Sequence, residues 1–375
     1  MFRHLAASFA AFLVCIGVNA GGAHAQSIRV SVDSSLADYL LDMVCSGKPV
    51  DAAYLRASPV LQGQIKHHSE VQPLRNMDAF LAGLKDVSDC KVPEKDLFRF
   101  GALVKEKAKF QAAVDFFKAR DAEIGAYVVD KVSPYVPAGL DYTGNLVLSV
   151  VGNPCGGFAS SGYFYLALNC LKENTEGEYA AAKVVSAHEV YHDIQYRFFH
   201  SVPLEMGEVK TRDQAFTYIF KGLLHEGTAE YVANSLDMAG EGKLTDTLNQ
   251  FSAAGYSQLS LNTRFFSDSA DILMGGDDIE RRTKDVFFLG LTGIGRQAFY
   301  YVGAGMARHI ETAYGRPALL CVMKQPPEQF VRAYQQAVAK MPGEGTEPMG
   351  STMMAAANRL SDTRDAKLRF EACSS

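Results

Sequence analysis

The 375-residue sequence has no tryptophan, no dense cluster of lysine or arginine, no internal repeat and no low-complexity tract. The missing tryptophan excludes nothing. The missing basic cluster, with a net charge of −5, removes the electrostatic footprint a nucleic-acid-binding chain needs. Past the N-terminus no stretch reaches ~18 uninterrupted apolar residues, so no stable membrane insertion is expected there. The cysteines lack the close pairwise spacing of zinc ligands, which excludes a cysteine-held zinc. Hydrophobic content of 48% and charged content of 21% are those of a globular chain.

What is present begins with a leader. Arg3 and His4 precede an apolar run, Leu5 to Val18, and Ala23-His24-Ala25 forms a small-x-small cleavage site before Gln26. This is the pattern of a cleaved signal peptide over 1–25, with an apolar core too short to span a bilayer. Val14 makes Cys15 unsuitable for lipid attachment. The mature chain is expected to be secreted or periplasmic. Six cysteines remain after the cut, and an even number in an exported chain favours disulfides. Nearest-neighbour pairing gives Cys45–Cys90, Cys155–Cys170 and Cys321–Cys373.

The pattern predicts an α+β, mainly helical fold. Residues 35–132 read as helical; Phe110, Val114, Phe117, Ile124 and Val128 recur near the helical period. Two strands follow, at 145–151 and 163–169, around a Gly/Ser-rich turn. Helices are expected at about 176–199, 213–236, 297–314 and 326–340, with a less regular stretch at 245–295 and a last helix leading to Cys373. The division that results is a leader (1–25), an N-terminal helical region (26–135), a main domain (136–345) and a C-terminal helix and tail (346–375).

The chemistry concentrates at His188-Glu189-Val190-Tyr191-His192. Two histidines at i and i+4 on one helix face can reach a single ion, and the glutamate between them is placed to take a proton from water. Composition alone would produce this pattern in about one chain in a hundred of this length. A catalytic zinc needs a third protein ligand. Asp193 points elsewhere on the helix, and position 198, where a third histidine would stand, is Phe198. Downstream, Leu223-Leu224-His225-Glu226-Gly227-Thr228-Ala229-Glu230-Tyr231 carries two carboxylates one helical turn apart. One can bind metal while the other accepts a hydrogen bond from a ligand imidazole.

These two motifs together resemble the gluzincin metallopeptidases. The resemblance covers about residues 140–340 and implies a zincin-like fold, a Zn²⁺ cofactor and a peptide or protein substrate. It implies Glu226 as the third ligand, Glu230 as the acceptor for a ligand imidazole, and Glu189 as the general base. It also implies an oxyanion-stabilising tyrosine: Tyr300, three residues before Gly303, with Tyr301 the rival. Two departures stand out. The step from His192 to Glu226 is 34 positions, longer than in the best-known members. The acidic Gly-x-Met-Glu-Asn sequence of the aminopeptidase branch is missing, and Gly156-Gly157-Phe158 lies in that region, which favours an endopeptidase.

The expected function is therefore zinc-assisted peptide hydrolysis, with strand 163–169 as a candidate sheet edge for an extended substrate. A catalytically inactive zinc-containing binding module is the alternative, and a secreted amidase a second. The other polar candidates have plainer roles. His200, His225 and His309 read as surface or core residues, His67-His68 as solvated, Asp277-Asp278 as an acidic turn, and Met349, Met353 and Met354 as packing.

Overall fold

A computed structural model describes residues 27–373, apart from 153–154, 200–201, 234–235, 237 and 344–346. The leader, its cut site, Cys15 and His200 lie outside the described residues.

The sheet has four strands in the order β1-β2-β4-β3. They are β1 (Ser27–Asp33), β2 (Asp141–Ser149), β3 (Gly157–Ser160) and β4 (Tyr163–Ala167). β2 pairs in parallel with β1 and with β4, while β3 runs antiparallel to β4. Leu146, Val147 and Leu148 of β2 are all buried, as a run covered on both faces should be. Two of the strands were not expected. β1 is a short strand of mixed polarity whose only partner lies more than a hundred residues away, so nothing local marks it. β3 hides inside the Gly/Ser-rich turn. The register also corrects the expected edge: β4 is interior, and β3 ends the sheet.

Between β1 and β2 the chain is helical, as predicted. The helix Asp121–Val132 lies on β1, where a side chain at Gly125 would stand 2.6 Å from the Val30 carbonyl oxygen. One apolar core runs through this region and the rest of the chain.

After the sheet come the helices that matter for chemistry. They are the His helix (Tyr179–Phe198), the Glu helix (Arg212–Ala233) and the Tyr helix (Ala298–Tyr314). The stretch expected to be less regular is helical too, over Lys243–Ser257, Leu259–Met274 and Ile279–Leu291. Their buried positions include Thr245, Ser252, Thr263, Ser267, Ser269 and Thr283, which blurs the apolar period. Several of these hydroxyls bury cheaply because they bond to carbonyls of their own helices, as Thr263 does to Leu259 and Thr283 to Ile279, while Thr245 donates to the Glu178 carboxylate. Asp278 caps the third of these helices through the Arg281 amide, the plain role expected of that turn.

Three disulfides join Cys45 to Cys90, Cys155 to Cys170 and Cys321 to Cys373, the nearest-neighbour pairing. No helix among the described residues is long and apolar enough to cross a membrane.

Candidate metal centre

The His helix is buried on nearly every side, by Ala181, Val184, Val185, Val190, Tyr191 and Ile194 among others. His188 and Glu189 keep partial exposure, and His192, one turn on from His188 along the same face, is buried. Asp193 indeed points away: it accepts from Tyr142 at 2.8 Å and pairs with Arg197.

The Glu helix crosses beside this face and brings Glu226 to it. His192 Nε2 lies 3.0 Å from His188 Nε2 and 3.1 Å from Glu226 Oε2, and His188 Nε2 lies 3.4 Å from the same oxygen. Among the described residues these three form the cluster able to hold a metal ion. Zinc–ligand bonds of ~2.0–2.1 Å in a tetrahedron put neighbouring donor atoms ~3.3 Å apart. The triangle has that size, and its two imidazoles and one carboxylate are donors of the right kind for zinc.

The charges agree. Burial opposes ionisation of Glu226, but the His192 charge and hydrogen bonds from both histidines hold its carboxyl well below the usual range. Burial likewise works against a charged His192, yet Glu226 holds it up to about 9. The triangle is therefore a place that attracts positive charge. Glu189 is outside it, and burial pushes its carboxyl up against the pull of the two histidines. A raised carboxyl is a better proton acceptor in the neutral range.

The Tyr helix completes the wall. The Tyr300 ring lies parallel to His188, with centroids 5.8 Å apart. Burial and the nearby Glu226 charge keep its phenol protonated, and so a donor. Tyr301 is buried with its ring against Gly255 and Tyr256, and it lines a cavity of about 250 Å³ shared with Glu189, Glu230 and Tyr300. Glu230 is itself buried. The hydrogen bond displayed by a ligand's second ring nitrogen is the one between His192 Nδ1 and Gln195 Oε1, at 2.8 Å.

Two glycines set this geometry. A Cβ at Gly303 would stand 2.4 Å from the Leu223 carbonyl oxygen and 2.6 Å from Gly227 Cα. The Glu and Tyr helices thus touch backbone to backbone between Glu226 and Tyr300. Gly303→Ala must push them apart, since neither neighbour is a flexible side-chain end. We expect a loss of about 1–3 kcal/mol, more than the ~1 kcal/mol alanine gains from helix propensity. Urea denaturation measures it, and a variant as stable as wild type would contradict the contact.

Other residues enter from places the sequence reading passed over. A side chain at Gly157 on β3 would meet Glu189 Cγ at 2.8 Å, so the edge strand runs directly against the base. Tyr196, one turn after His192, lines a second cavity of about 250 Å³ with His188, Glu189 and Glu226. Its spacing from His192 was the available signal. His67 lines the same cavity, its ring stacked on Phe158 at 3.9 Å. The expectation that His67 and His68 are solvated is corrected: His67 is half-buried and His68 only 1% exposed. Burial, aided for His67 by Arg75, lowers both to about 4, so both are neutral at pH 7. His225 is buried and edge-on to Tyr196, outside the triangle.

Residues 65–343 match the family described as "Putative zinc dependent peptidase (DUF5700)". The chain belongs to that family. The match takes in the three metal-centre helices, β2 to β4, and the part of helix Pro59–Val71 that carries His67. No curated protein and no solved structure matches the chain.

Proposed function

We propose that the chain is a zinc metallopeptidase of the gluzincin type, with His188, His192 and Glu226 holding the ion and Glu189 as general base. The observation that carries this reading is the donor triangle of 3.0–3.4 Å with a carboxylate beside it that is not part of it. A purely structural zinc has no use for such a neighbour.

The mechanism follows from what each side chain can do. A zinc ion held by His188, His192 and Glu226 would supply a Lewis acid, able to polarise a carbonyl and to lower the pKa of water towards ~7. Glu189 takes the proton from the attacking water and returns it to the leaving amine. Tyr300 donates to the oxygen that becomes an oxyanion, with Tyr301 behind it as the rival. The resemblance gives Glu230, buried beside the site, the role of accepting from a ligand imidazole. An extended peptide pairs along the free edge of β3, which passes Glu189 at Gly157. No carboxylate stands on β3 to hold an α-amine, and this favours an endopeptidase. The zincin-like catalytic domain is assigned to 136–345, with 26–135 supplying β1 to its sheet and the helices that support it. Three disulfides favour an exported enzyme.

The test is elemental analysis of the mature protein together with a broad peptide library. We expect close to one zinc per chain and cleavage that a chelator abolishes. A protein without zinc, equally stable with and without the added metal, would overturn the reading.

A further inference from the structure

Gln195 lies three residues beyond His192, and its side chain is buried, at 2% exposure. One end of its amide is 2.8 Å from His192 Nδ1. The other end is 2.9 Å from the His225 carbonyl oxygen and 2.7 Å from Thr228 Oγ1. These contacts decide which end is which. A carbonyl can only accept. The Thr228 hydroxyl gives its one proton to the Leu224 carbonyl at 2.7 Å, so towards Gln195 it too can only accept. Two acceptors therefore face the NH₂ end. The carbonyl end faces His192, and the nitrogen opposite it must carry a proton. An imidazole protonated at Nδ1 has its free lone pair at Nε2. Nε2 is the atom that forms a corner of the donor triangle.

We infer that Gln195 is a positioning residue of the metal centre, fixing the tautomer and ring direction of His192 and tying the His helix to the Glu helix. The inference rests on reading His188, His192 and Glu226 as the zinc site. His225 and Thr228 flank Glu226 in the sequence, so the amide that aims one ligand is pinned to the turn that presents another. It does this without adding charge: a carboxylate in its place would bring another negative group to the centre and damp the Lewis acidity of the ion. The chain from Leu224 through Thr228 and Gln195 to His192 leaves neither end of the amide free to swap.

The test is zinc affinity, measured by chelator competition on Gln195→Met, Gln195→Glu and Thr228→Val, with the visible spectrum of the cobalt-substituted proteins alongside. Gln195→Met keeps volume and helix propensity but removes the acceptor. It should weaken zinc binding on the order of 10–100-fold and shift the cobalt bands. Gln195→Glu retains an acceptor for Nδ1–H but loses the amide's donors to the His225 carbonyl and Thr228; it should weaken binding by about 3- to 10-fold, as Thr228→Val does, and less than Gln195→Met. Thr228→Val removes one anchor of the amide and should weaken binding by about 3- to 10-fold. It carries the test should Gln195→Met fail to fold. Unchanged affinity in Gln195→Met, or equal loss in the Met and Glu variants, overturns the inference and leaves Gln195 a packing residue. Wild type that takes up no zinc would instead overturn the zinc reading itself.

Discussion

Replacing Glu189 by glutamine should leave a folded, zinc-loaded protein that has lost hydrolysis by a factor on the order of 10² or more. Glutamine keeps the size and the helix but cannot accept the water proton. Glu189 is not one of the triangle's donors, so zinc content should not change. The measurement is single-turnover or steady-state cleavage of a peptide found in the library, with metal content determined on the same sample. Tyr300→Phe is the companion: it should also keep its zinc and lose about 10- to 10³-fold in kcat. Equal rates in wild type and Glu189→Gln would refute the proposed chemistry even with zinc in place.

The second large effect is on metal binding. Glu226→Gln should lose most zinc affinity, because it removes the one anionic donor of the triangle and the charge that holds His192 up to about 9. Glu230→Gln should lose less, on the order of 10–100-fold, if it acts by accepting a hydrogen bond. Chelator competition separates the two. A filled site in Glu226→Gln with an empty one in Glu230→Gln would reverse the roles. Glu226→Gln also replaces a carboxylate that faces two imidazoles, so its fold should be checked by circular dichroism before the metal result is read.

Much of the centre could be read from the sequence because it is written at helical spacing. His188, Glu189 and His192 share one helix, and Glu226 and Glu230 another, so the i, i+4 rule places each group without tertiary information. The disulfides followed from a different rule, the pairing of six cysteines in chain order, since they link residues 15 to 52 positions apart. The other contacts between separate elements were not legible. β1 has no local signal for a partner at residue 141, and β3 carries three small residues, Gly157, Ala159 and Ser160, in a run that reads as turn. His67 reaches the cavity only because helix Pro59–Val71 docks beside Phe158, and no periodicity encodes docking. Gln195 looks like any polar residue on a helix until His225 and Thr228 are placed beside it. The hydroxyl-rich helices after residue 243 show the same limit from the other side, since hydroxyls such as Thr263 and Thr283, satisfied by hydrogen bonds, share the buried face with Phe266, Leu273 and Val286 and blur its apolar period.

The pairing of β1 with β2 bears on how fast the molecule can form. Ser31 bonds to a residue 114 positions later, so this pairing closes a stretch of chain that holds seven helices. Contacts that close so long a stretch of chain are paid for in entropy before they return any stability, and proteins that depend on them fold slowly. Refolding from denaturant should accordingly show the helical signal returning ahead of the quenching of tyrosines such as Tyr142 that are buried against the finished sheet.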